Sequence, residues 1–168
     1  MPSPTMTLIA SSTVPSGGAA SIDFNSIPST YTDLCLKFSL RDNNSQSQNG
    51  IFISINSSTA NFTQKYLSGS GSAASSGSIA RFIGYSDAAA ATASTFNNGE
   101  LYIPNYAGSN NKSLSGDLVQ ETNATAAYSV MSAHLWSITS AITAISLIAD
   151  TASFVQFSTA YLYGIKNS

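Results

Sequence analysis

The strongest constraint in this sequence is a two-residue alternation of apolar and polar side chains that recurs along most of the chain. The clearest run is "DLCLKFSLR" (residues 33–41), where the apolar set is Leu34, Leu36, Phe38 and Leu40 and the set between them is Cys35, Lys37, Ser39 and Arg41. Successive side chains of a β-strand point to opposite faces, so this period predicts strands with one face in a core. The same pattern recurs in "GIFISIN", "IARFIGY", "ELYIPNY", "AYSVMSAHLWS" and "SFVQFSTAYLYGI".

Turn-rich segments of Gly, Asn, Asp and Ser separate these runs, and no capped helical pattern interrupts them. With 168 residues the chain fits one domain. About eight to ten evenly spaced strands predict an all-β fold, a single-domain antiparallel β-sandwich with jelly-roll topology as the leading variant. We expect residues 1–12 to form an extended N-terminal arm and residues 13–168 to form the sandwich. Residues 68–78, almost all Ser, Gly and Ala, are expected to be an exposed flexible loop.

Charged residues make up only 8% of the chain, and the net charge is −2. Because there is no basic patch, we expect no nucleic-acid partner and no attraction to anionic lipid. The N-terminus lacks the features of a signal peptide, and no apolar run is long enough to span a bilayer, so we expect no membrane association. A hydroxyl-rich surface of low charge suits a subunit that packs against others, which predicts self-association.

No pattern in the sequence predicts catalysis or a metal centre. The lone Cys35 has no nearby His, and His134 is expected to be a strand histidine at a core edge or a subunit interface. One Cys and one His cannot make a zinc site, and the loop after Arg41 offers a calcium ion only one carboxylate, Asp42. We therefore expect no enzyme activity and no cofactor.

Tyrosines give the strongest binding signal, since Tyr102 and Tyr106 flank "IPN" and Tyr161 and Tyr163 share a strand near the C-terminus. Exposed tyrosines can stack on sugar rings, but tyrosines are also common in strands and at protein interfaces. We favour the second interpretation. In the last strand we expect the apolar members to be Val155, Phe157, Tyr161, Tyr163 and Ile165.

Four segments together suggest a family: "TLIASSTVPSGGAASIDFNSIPSTYTDLCLKFSLR", "LYIPNYAGSNNKSLSGD", "AHLWSITSAITAISLIAD" and "FVQFSTAYLYGIKNS". In these the chain resembles small virion structural proteins of tailed bacteriophages, common among phages of cyanobacteria and other aquatic bacteria. The resemblance implies a capsid decoration (cement) protein or part of a tail fibre, and it implies no catalytic residues.

Between these roles we favour a decoration protein that stabilises the head by bridging subunits of the major capsid protein. The chain is short and has no sequence pattern of a fibre shaft. It would be made in the host cytoplasm and added to the capsid exterior, as a homotrimer. The alternative is a tail-fibre or receptor-binding protein that adheres to host glycans. The candidate contact residues are Met6, Leu8 and Ile9 in the arm, Lys37 and Arg41 on the first strong strand, and Tyr102 and Tyr106. Two cations on one strand face suggest either a subunit contact or a local ion pair.

Overall fold

The computed structural model describes residues 5–123 and 127–166. In this part of the chain all regular structure is β-strand, and no helix is present that could cross a membrane. The strands are β1 (Met6–Thr13), β2 (Ser21–Phe24), β3 (Asp33–Ser39), β4 (Gln48–Ile55), β5 (Phe62–Gly69), β6 (Ala74–Gly77), β7 (Phe82–Asp87), β8 (Asn98–Ile103), β9 (Lys112–Gln120), β10 (Tyr128–Trp136), β11 (Ile145–Ala149) and β12 (Thr159–Ile165).

The strands form two antiparallel sheets, so the predicted β-sandwich is confirmed. One sheet has eight strands in the order β1-β12-β3-β8-β9-β10-β5-β6, and the other has four in the order β2-β11-β4-β7. Four nested antiparallel pairs run inward from the termini: β1 with β12, β2 with β11, β3 with β8, and β4 with β7. A long hairpin rolled up in this way, with alternate pairs in opposite sheets, is a jelly roll.

Four further strands enlarge this jelly roll on one side only. β5 and β6 are inserted between β4 and β7, and β9 and β10 lie between β8 and β11. They join the larger sheet beyond β8 as the run β9-β10-β5-β6, which we call the extension. The larger sheet is therefore twice as wide as the smaller one.

The core lies between the sheets and is built from the predicted alternation. Leu34, Leu36, Phe38 and Leu40 are each at most 3% exposed, as expected for one face of β3 and the residue after it. Each fully buried side chain of this size contributes about 1.5–3 kcal/mol relative to exposure. The alternating residues Ile51, Ile53 and Ile55 of β4 are fully buried on the other side of the core.

The structure changes three expectations about particular segments. From Met6 onward the predicted arm is extended but belongs to the larger sheet, because its backbone pairs with β12 along the strand. Residues 68–78 are not one flexible loop, since Ala74–Gly77 pairs with β5 and the hydroxyls of Ser68 and Ser75 lie 2.8 Å apart. Residues 1–4 of the arm, and residues 124–126 and 167–168 of the sandwich, lie outside the described residues.

The predicted facing of the last strand is wrong. Ala160 and Leu162 are fully buried, whereas Tyr161 is 38% exposed and Phe157, before the strand, is 67% exposed. The smaller residues point inward because β12 lies between β1 and β3 over the filled core, and the tyrosines point away from it.

Candidate interaction surface

The face of the larger sheet that points away from the core, here called the outer face, is the candidate site. Antiparallel partners that lie opposite each other project to the same face, so the strand register gives the residues that line up across it. One row is Leu8, Tyr163, Cys35, Tyr102, Ser115, Ala133 and Lys65. The next row is Ser11, Tyr161, Lys37, Glu100, Asp117, Met131, Leu67 and Ser76.

An ion pair occupies the middle of the outer face. Lys37 donates from Nζ to Oε2 of Glu100, and about half of each side chain is exposed. The hydrogen bond to Glu100 raises the pKa of Lys37. Beside them Cys35 is buried, and its burial raises the pKa of the thiol to about 11. Lys37 is therefore on the surface and forms a local ion pair with a partner inside its own chain.

The two tyrosines that flank "IPN" lie in different environments. Tyr102 is on the outer face, half-buried, and donates its hydroxyl to Oδ2 of Asp33 at 2.7 Å, a bond that raises the pKa of the tyrosine. Tyr106 is 0% exposed and donates to the carbonyl oxygen of Pro28. Because Tyr106 is enclosed in the core, it cannot be the surface contact that the sequence predicted.

Arg41 lies after the end of β3 and points toward its own chain. Its Nη1 donates to the carbonyl oxygens of Thr92 at 2.9 Å and Thr95 at 3.0 Å, and its Nη2 donates to that of Ala91 at 3.2 Å. The guanidinium fork matches carbonyl oxygens of one loop, the connection between β7 and β8. This use of its donors gives Arg41 a structural role in place of the predicted partner contact.

The two most exposed apolar side chains of the outer face, Met131 and Leu67, lie on the extension, together with two further exposed apolar residues. Met131 is 64% exposed, Leu67 63%, Val119 42% and Leu135 37%. Between them the short side chains of Ser115 and Ala133 help to form a groove of about 750 Å³. Exposed apolar patches of this kind mark sites of interaction.

Sequence reasoning missed this patch, although β10 carried a signal for it. Val130 and Trp136 are buried on one face of β10, while Met131 and Leu135 project from the other. A half-buried strand normally has polar side chains on its outer face. Apolar residues at both phases of one strand therefore indicate a second contact surface.

The opposite edge of the larger sheet is formed by β1. Met6 is 40% exposed and Leu8 50%, and Ile9 lies at a β-bulge, half-buried against the core. The three candidate residues of the predicted arm are thus together at a sheet edge. An edge strand offers unpaired backbone groups to another chain.

The sequence analysis considered Asp42 as a calcium ligand and His134 as a catalytic residue, and the structure buries both side chains. Asp42 is 1% exposed, and its carboxylate accepts hydrogen bonds from Asn44, Asn49 and Ser86. His134 is 3% exposed, and burial lowers its pKa to about 4. Within residues 5–123 and 127–166, no group of three or more His, Cys, Asp or Glu side chains could hold a metal ion.

No family model matches the sequence, and no curated protein matches it. Among solved structures, the chain is similar to the galectin LEC-6 of Caenorhabditis elegans, at 9% identity and with a TM-score of 0.34. That similarity covers 94% of this chain and 96% of the galectin. At this level it carries no argument about what the chain binds.

Proposed function

We propose that the chain is a virion structural protein of a tailed bacteriophage, a decoration protein that bridges major capsid protein subunits on the capsid exterior. The observation that carries the proposal is the edge of β1, which pairs with a strand on one side only, β12, within residues 5–123 and 127–166. Strand β1 has eight residues and no charged side chain, and it exposes Met6 and Leu8. Addition of a strand to such an edge gives affinity through main-chain hydrogen bonds.

The composition of the chain supports a mechanical role of this kind. With 8% charged residues, its contacts rest on hydrogen bonds and apolar side chains. Salt screens interactions between exposed charges strongly, and these contacts much less. A shell joined in this way keeps its subunit contacts when the ionic strength outside the particle changes.

The decisive measurement is the number of copies per purified virion, by quantitative mass spectrometry against the major capsid protein. We expect a fixed ratio to that protein, because a decoration protein follows the capsid lattice. A few copies per particle, or none, would contradict the proposal. Binding to capsids should be lost on Leu8→Asp, whereas Phe157→Asp, a change at a residue that is 67% exposed outside the sheets, should leave it intact.

A second candidate function, adhesion of a tail fibre to host glycans, is favoured by the tyrosines of the outer face. Tyr161 and Tyr163 are two residues apart on β12 and project to the same side. Aromatic faces of this kind can stack on sugar rings. Binding on a glycan array that Tyr161→Ala abolishes, with labelling of the protein at the tail tip, would favour this function over decoration.

A further inference from the structure

Two charged side chains flank the apolar patch of the extension. Lys65 on β5 and Asp117 on β9 are both exposed, and neither has a salt bridge within residues 5–123 and 127–166. Between these strands runs β10, whose Met131 lies opposite Asp117 and whose Ala133 lies opposite Lys65. The two charges are therefore placed diagonally on either side of the centre of β10.

The register fixes how this surface would meet a copy of itself. Neighbouring strands are about 4.8 Å apart, and residues two apart along a strand are separated by about 6.8 Å. Lys65 and Asp117 thus lie at roughly equal distances on opposite sides of Ser132, the residue between Met131 and Ala133. A two-fold axis that lies in the contact plane, perpendicular to the line joining the two charges, places Lys65 of each copy over Asp117 of the other.

The same axis brings the apolar side chains together. Leu67 lies opposite Met131 in the register and on one side of the line that joins the charges. In the two-fold arrangement Leu67 falls close to the axis, so it meets Leu67 of the second copy, and Met131 falls close to Leu67 of the second copy. The surface is therefore complementary to itself in both charge and apolarity, as an isologous interface must be.

We propose that the outer face of the extension binds a second copy of this chain about a two-fold axis, with an apolar centre of Leu67 and Met131 between two Lys65–Asp117 ion pairs. The groove above Ser115 and Ala133 provides room for side chains of the second copy. The burial of Leu67 and Met131, which are 63% and 64% exposed in the single chain, supplies affinity, and the charges set the register.

This inference does not depend on the proposed capsid contact, which uses the opposite edge of the larger sheet, and it proposes a two-fold pair in place of the homotrimer that we expected from the sequence. β1 and β10 are five strand spacings apart in the sheet order, about 24 Å at 4.8 Å per spacing. A pair of copies would carry two free β1 edges.

The test is a charge exchange followed by sedimentation equilibrium. We expect the wild-type chain to form dimers, and Lys65→Asp and Asp117→Lys each to weaken dimerisation at least about tenfold, because each places like charges opposite one another twice. Mixing the two variants should restore dimers, since each of the two charge contacts in the mixed pair then joins one aspartate to one lysine. The double variant, with both charges exchanged in the same chain, should also dimerise.

Matched controls separate this interface from a general effect of charge. Lys166→Asp and Asp150→Lys make the same changes at exposed positions outside the strands and should leave the dimer unchanged. The proposal is overturned if the wild-type chain is monomeric up to its solubility limit, if it forms trimers, or if the two single variants dimerise as the controls do. Failure of mixing to restore dimers also overturns it. None of these outcomes bears on copy number in virions, so the two proposals fail separately.

Discussion

Protonation of His134 should make this fold sensitive to mild acid. The imidazole is 3% exposed, and neither ring nitrogen has a hydrogen-bond partner within the described residues. It projects into the core in the same phase as Trp136, and burial lowers its pKa from 6.5 to about 4. Burial removes a charged imidazole in that position from solvent, so the folded state disfavours the charged form.

The size of the effect follows from the difference in pKa between the unfolded and folded states. The folded pKa is depressed, so the contribution to stability is fully present above pH 6.5 and is lost as the pH falls toward 4. At 1.36 kcal/mol per pH unit, this loss amounts to about 2 kcal/mol at pH 5 and about 3 kcal/mol at pH 4. That is a large fraction of the stability of a typical domain.

The assay is urea unfolding at pH 7, 6, 5 and 4, followed by the fluorescence of Trp136, which is 1% exposed and will enter water on unfolding. His134→Leu removes the titrating group and leaves a neutral side chain of similar size. The free energy of unfolding of the wild type should fall relative to that of the variant by the amounts given above. Burial raises the pKa of Asp87, which acts in the opposite direction, so only the difference between the two proteins isolates His134. A difference that stays constant from pH 7 to 4 would refute the reasoning.

Three further predictions concern folding and reactivity. Arg41→Ala should cost about 2 kcal/mol and expose residues 88–97 to limited proteolysis, because it removes charged donors from three carbonyl oxygens, and Arg41→Lys should restore little of this. Gly84→Ala should lower the free energy of unfolding by about 2 kcal/mol or more, since φ is +147° and a Cβ would lie 2.7 Å from a leucine of β9. Its control, Gly71→Ala, has φ +81° with no atom within 4 Å and should cost about 1 kcal/mol in the same urea titration. Cys35 should react with a thiol reagent at pH 8 only after unfolding, because it is buried with a pKa of about 11, and fast labelling of the native chain would contradict this.

The sequence alone predicted those parts of the fold that depend on one strand at a time. The period of two placed Leu34, Leu36, Phe38 and Leu40 in the core, and the same rule holds for Ile51, Ile53 and Ile55. Alternation indicates that one face of a strand is buried, and this inference does not depend on which strands lie beside it. For the same reason it could not choose between the two faces of β12, where both phases are apolar.

Only the tertiary structure decided which distant groups each polar side chain contacts. Arg41 and Tyr106 look like free surface residues in the sequence, yet their partners are 51 and 78 residues away, at Thr92 and Pro28. The pairing of distant strands also brings Lys65, Met131 and Asp117 onto one surface. Sheet order is set by long-range packing of the whole core, so the local pattern of β5, β9 or β10 contains no record of it.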